Sequence, residues 1–143
     1  MRIVLDTNQL VAALFCPPEL ATLLMAWEAA RFTIVASRDL LNEYMHVLAY
    51  SDIAARVYPE LLRAFKTHLI DDIELVEPSE VPHLCRDPDD DKVLAVAIYG
   101  LVDYLVTIDE DLLTASVRTL LAEMGIRVIA GDDLLHLLDR KGL

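Results

Sequence analysis

The chain has 143 residues, 24 acidic against 12 basic for a net charge of −12, with 55% hydrophobic residues and a mean hydropathy of +0.40. That length predicts a single domain over residues 1–143, burying roughly two-thirds of its unfolded surface around an aliphatic core. The charge argues against a passive nucleic-acid binder, which carries a basic footprint. It leaves room for an enzyme in which bound cations supply the positive charge at a phosphate.

Arg2 to Leu5 is a short apolar run of the kind found in a buried parallel strand, and it ends at Asp6. Thr7 or Asn8 is placed to cap a helix from Gln9 to Phe15, which stops at Pro17-Pro18. A second helix, Glu19 to Ala30, repeats Leu20, Leu23, Leu24 and Trp27 at helical spacing, and Phe32 to Ala36 is the second strand. Ser37 caps a helix from Arg38 to about Ala49, with Glu43 at the edge of the Leu41, Tyr44, Met45, Leu48 stripe. Ser51 to Tyr58 fits neither pattern, and Pro59 opens a helix carrying Leu61, Leu62, Phe65 and Leu69 inside.

Ile73 to Val76 reads as a short edge strand, and Glu77 to Cys85 as a loop. Asp87 and Pro88 form a cap and first-turn pair for a helix running through Tyr99 to a C-terminal glycine, Gly100. Tyr104 to Thr107 is the fourth strand, followed by a helix from about Leu112 to Met124 closed by Gly125. Ile126 to Ala130 is the fifth strand, and Asp132 caps a last helix, Asp133 to Asp139. Strands alternating with helices predict an α/β fold, a three-layer α/β/α arrangement around a five-stranded parallel sheet.

In such a sheet ligands bind beyond the carboxyl ends of the strands. Asp6 follows the first strand and Asp109 the fourth, so both belong to that edge. The connection from Glu77 to Cys85 lets the acids heading the next helix reach it too. Asp87, Asp89, Asp90 and Asp91 fill four of five positions there. Carboxylates gathered at one edge repel unless a cation joins them or some take up protons, and a hard divalent ion with oxygen ligands answers that need.

A calcium loop is excluded, because Lys92 stands where the turn glycine belongs and Ile98 where the bidentate glutamate belongs. Asp91 shares a helical face with Leu94, Ala95 and Ile98. The helix is apolar nearly all round, however, so phase does not choose between Asp90 and Asp91. His46, His68, His83 and His136 have no paired spacing, and no G-x-S-x-G, P-loop or G-x-G-x-x-G occurs. Cys16 and Cys85 read as reduced thiols of a cytoplasmic protein; Met1-Arg2 opens no signal peptide, and no uncharged run is long enough to span a membrane.

The order LDTN, NEY, RDPDDDKVLAVAI and DYLVTIDEDLL resembles the PIN-domain family, closest to its branch of VapC-like toxins of bacterial toxin-antitoxin pairs. The resemblance implies cleavage of single-stranded RNA with Mg²⁺ or Mn²⁺, leaving 5′-phosphate and 3′-hydroxyl ends. It carries the family's acidic quartet onto Asp6, Glu43, Asp91 and Asp109. Asp6, Asp91 and Asp109 would hold the metal, Glu43 would orient or deprotonate water, and Thr107, Asn8 and Asp111 would support. Where the family often has Arg-Pro after the NEY helix, this chain has Ser51-Asp52. A cognate antitoxin and a homodimer are the partners it implies. The rival is a regulatory module, either a metal-binding but inactive subunit or a phosphoacceptor receiver. A receiver, however, needs an aspartate after its third strand and a lysine after its fifth, where this chain has Glu77-Pro78 and Gly131-Asp132.

Overall fold

Five short strands, β1 (Arg2–Leu5), β2 (Thr33–Ala36), β3 (Glu74–Leu75), β4 (Tyr104–Val106) and β5 (Arg127–Ile129), pair in parallel in the order β3-β2-β1-β4-β5. The computed structural model describes residues 1–141. Chain order runs outward from β1 to β3, then returns to the other side of β1 for β4 and β5. The reversal makes the carboxyl ends of β1 and β4 the switch point of the sheet, where α/β folds open a crevice.

The helices are α1 (Thr7–Leu14), α2 (Pro17–Glu28), α3 (Arg38–Leu48), α4 (Ser51–Arg56), α5 (Pro59–Asp71), α6 (Pro88–Gly100), α7 (Ala115–Glu123) and α8 (Gly131–Lys141). They cover both faces of the sheet, the α/β/α arrangement expected. The central strands are buried on both faces, so Ile3, Val4, Ile34, Val35, Leu105 and Val106 are all fully enclosed and read as continuous apolar runs. Helix α6 packs across β1, β2 and β4 and buries Val93, Leu94, Ala95, Val96 and Ala97 in succession. A helix enclosed on every side shows no single apolar stripe.

Gly100 is the last residue of α6, and it lies so near β2 that a Cβ there would meet Val35 Cγ1 at 2.9 Å. The glycine expected to end the helix thus serves close packing instead. Leu101 takes the left-handed turn, with φ 46°. Away from the site, Trp27 on α2 stacks on His68 of α5 at 5.0 Å and meets Phe65 edge-on at 5.5 Å, tying those helices together.

Several boundaries differ from the sequence reading. The segment with no clear pattern forms α4, ending before Val57. The helix expected from Leu112 to Met124 is two pieces, a 3₁₀ turn at Glu110–Leu112 and then α7, because the Thr114 hydroxyl accepts the Val117 amide and starts a new helix. Helix α8 begins at Gly131, and Asp133, not Asp132, accepts the Ala130 amide at 3.2 Å. Helix α1 begins at Thr7 without a cap from Thr7 or Asn8, for a reason that lies in the site. No single helix among the described residues is long and apolar enough to cross a membrane.

Candidate active site

Asp6 stands at the N-cap of α1, yet its side chain makes no cap hydrogen bond. A carboxylate in that position ordinarily accepts an amide of the first turn. Here Oδ2 accepts the Thr107 hydroxyl at 2.8 Å from the end of β4, while the Asp6 amide donates to the Val106 carbonyl at 3.0 Å. Both residues are buried, at 5% and 0% exposure. The Thr107 oxygen in turn accepts the Asp109 amide at 2.9 Å, and Asp109 Oδ1 accepts the Asp111 amide at 2.9 Å. One hydroxyl thereby fixes the two strand-end aspartates relative to each other. Burial, followed by the charges of Asp109 and Glu43, raises the pKa of Asp6 despite the lowering effect of the Thr107 bond.

Glu43 reaches the same place from α3, where it accepts a hydrogen bond from the Thr7 hydroxyl. Thr7 is therefore employed across the site rather than as a helix cap. The next residue, Tyr44, is fully buried and donates its hydroxyl to the Leu5 carbonyl, pinning α3 against the end of β1. Burial and the neighbouring Asp6 and Glu43 charges push the Tyr44 pKa well above its ordinary value, so the phenol keeps the proton that this bond needs.

The aspartate run resolves against the sequence expectation. Asp91 is buried, but its Oδ1 accepts the amides of Leu84 at 3.1 Å and Cys85 at 2.9 Å, folding the preceding loop back onto the head of α6. That oxygen is committed to backbone, and Asp91 does not line the acidic cleft. Asp90, in place of the expected Asp91, lines the cleft with Asp6, Glu43 and Asp109. It is 6% exposed, and Oδ2 is buried with no hydrogen-bond partner among the described residues. Burial first, then Asp109, Asp6, Asp87 and Asp111, push its pKa up to about 7. The apolar surroundings and Asp91 also hold the Cys85 thiol at about 12, so Cys85 remains protonated and is no nucleophile.

Asp6, Glu43, Asp90 and Asp109 line one cleft of about 600 Å³, with Asn8, Asp87, Asp89 and Asp52 at its margins. Carboxylate oxygens of Asp90, Asp109 and Asp111 lie within 4.8 Å of one another. Asp111 Oδ1 also accepts the exposed Arg86 guanidinium at 2.7 Å and 2.9 Å, so part of the local negative charge is met by an arginine. The donor set is all oxygen. An orphaned buried carboxylate oxygen among three close acids fits a hard divalent cation of the Mg²⁺ or Mn²⁺ type. A second cleft of about 570 Å³ runs along β5 beside Arg118, Arg127 and His136 and has one carboxylate, Asp133. It lacks the acids for such an ion.

A parallel α/β sheet with carboxylates converging at its switch point is an arrangement suited to binding a metal ion. A family model described as PIN domain matches residues 2–111, and the chain belongs to that family. Membership implies nuclease chemistry at an acidic metal site, and Asp90, Asp109 and Asp111 form an acidic group of that kind. No match to the chain is found among curated proteins or among solved structures.

Asp90 and Asp91 are separable by experiment. Asp91→Ala strips two backbone amides of a charged acceptor and is expected to lower stability by about 2–4 kcal/mol in urea denaturation, leaving Mn²⁺ binding in place. Asp90→Ala is expected to abolish Mn²⁺ binding by calorimetry without loss of metal-free stability.

The raised pKa of Asp90 also has a definite sign. The unfolded carboxyl ionises near 4, so between about pH 4 and pH 7 the folded state retains a proton the unfolded state has released. Stability falls as pH rises through that window. Without metal, the melting temperature of Asp90→Asn should therefore gain on wild type between pH 5 and pH 7.5. A difference that does not change with pH would contradict this placement of Asp90.

Proposed function

We propose that the chain is a metal-dependent endoribonuclease that hydrolyses single-stranded RNA. The observation that carries the proposal is the buried, unpartnered Asp90 oxygen set among Asp109, Asp111 and Asp6 at the switch point of the sheet. Asp90 and Asp109 are the principal metal holders, with Asp111 or Asp6 completing the set directly or through water. When bound, Mg²⁺ or Mn²⁺ lowers the pKa of coordinated water and offsets charge on the scissile phosphate.

The remaining work falls to side chains of this chain. Glu43, oriented by the Thr7 hydroxyl, accepts the proton of the attacking water. Thr107 keeps Asp6 aimed into the cleft and, through the Asp109 amide, keeps the turn after β4 in register with it. Asp91 acts at one remove, holding the loop at Leu84 and Cys85 against the head of the helix that carries Asp90. Inline attack by that water on phosphorus, with the P–O3′ bond breaking and the departing 3′ oxygen taking a proton from solvent, would leave 5′-phosphate and 3′-hydroxyl ends.

The order of motifs along the chain supports a toxin of a toxin-antitoxin pair, held inactive in the cytoplasm by an antitoxin segment. With a net charge of −12 and a cleft walled by acids, that segment is expected to bring basic side chains. A homodimer belongs to the same reading.

The decisive assay is cleavage of an end-labelled single-stranded RNA by wild type, Asp6→Asn and Asp90→Asn in millimolar Mn²⁺. The expected result is cleavage that EDTA stops, with 3′-hydroxyl ends, reduced by about 100-fold or more in either variant. Cleavage that persists in both variants, or a protein that binds Mn²⁺ and cuts no RNA, would contradict the proposal.

A further inference from the structure

The cleft that holds the acids has a second wall of different chemistry. Phe15 at the end of α1 and Tyr50 at the start of α4 line it beside Asp6, Glu43, Asp90 and Asp109, and they are 41% and 50% exposed. His46 lies edge-on to Tyr50, with ring centres 5.3 Å apart. The Arg56 guanidinium sits 5.4 Å from the centre of the Phe15 ring, and it forms no ion pair among the described residues. The cleft thus has an aromatic wall as well as an acidic one.

The main chain is fixed where both rings attach. The Phe15 amide donates to the Val11 carbonyl, and the Tyr50 amide donates to Val47 while its carbonyl accepts from Ile53 and Ala54. With the backbone fixed at these helix ends, an occupant has only the two side chains to order.

Charge narrows the choice of occupant. Among the described residues the cleft is lined by seven aspartates and glutamates and by no lysine or arginine. Such a wall repels a polyanion until bound cations offset it, and a metal at the acids engages the reacting phosphate alone. Base stacking on aromatic faces is indifferent to that charge and accepts any base. Resting on the nuclease reading, we propose that Phe15 and Tyr50 form a stacking shelf for unpaired bases flanking the scissile phosphate, with Arg56 at its outer end meeting the next phosphate. Bases already stacked within a duplex are not available to it, so the shelf selects single strands.

The test measures binding and cleavage separately. The probe is a fluorescein-labelled ten-nucleotide RNA of mixed sequence, single-stranded or annealed to its complement. Anisotropy in Ca²⁺ gives Kd and steady-state cleavage in Mn²⁺ gives KM and kcat, for wild type, Phe15→Ala, Tyr50→Ala, Phe15→Trp and Tyr50→Phe. Loss of one stacking platform is expected to raise Kd and KM for the single strand about tenfold to a hundredfold, with kcat within a few-fold of wild type. The two aromatic replacements should restore both constants, and the duplex should bind weakly throughout.

Unchanged Kd and KM in both alanine variants would overturn the shelf while leaving the nuclease reading intact. The same is true if those variants only split a wild-type dimer, seen by light scattering, with Kd unaltered. Aromatic-dependent binding without cleavage would uphold the shelf and remove the nuclease reading. Wild type that neither binds nor cuts the strand would overturn both.

Discussion

Repulsion among carboxylates is the constraint around which this fold is arranged. Asp6, Glu43, Asp90, Asp109 and Asp111 come from β1, α3, α6 and the turn after β4, and they converge on one edge where burial strengthens every charge interaction. Left to itself, such a group drives its members toward the protonated form. Asp90, the most enclosed of those in the cleft without a hydrogen bond, bears most of that cost and holds its proton to about pH 7. A divalent cation removes the conflict by replacing protons with positive charge, so metal affinity, acid strength and folding stability are linked through one cleft.

The polar bonds around the cleft divide into those that aim acids and those that hold the scaffold behind them. Thr107 and Thr7 aim Asp6 and Glu43, each spending a hydroxyl across the site instead of within its own helix or strand. Tyr44 and Asp91 act behind them, one fastening α3 to the end of β1 and the other folding the loop at Leu84 and Cys85 against α6. Beneath both sets lies an apolar layer in which Gly100 lets α6 approach Val35 closely enough to seat the helix. Preorganisation of this sort, with Asp6 and Glu43 each held by a threonine hydroxyl, is what a metal-assisted hydrolysis would require.

Strand positions and the acids that follow them were legible in the sequence, because buried parallel strands read as unbroken apolar runs and Asp6 and Asp109 interrupt them at their ends. Asp90 was not. From Val93 to Ala97 helix α6 is enclosed all round, so its pattern there has no polar face from which to measure phase. Asp90 and Asp91 are both buried, and the loop folded back onto Asp91 at Leu84 and Cys85 leaves Asp90 for the cleft. The break before α7 depends on a single threonine cap that competes with a continuous helical pattern. Phe15 and Tyr50 had no sequence signal either. Single exposed rings at helix ends acquire meaning only when the fold places them in a cleft with acids.

The account stands or falls on Asp90 facing the metal and Asp91 facing the loop. Crystals soaked in Mn²⁺ and measured at the manganese absorption edge test this directly through the anomalous difference map. A strong peak within coordination distance of Asp90 and Asp109, with Asp91 still on the amides of Leu84 and Cys85, is the predicted result. A peak coordinated by Asp91, or none near the ends of β1 and β4, would contradict it.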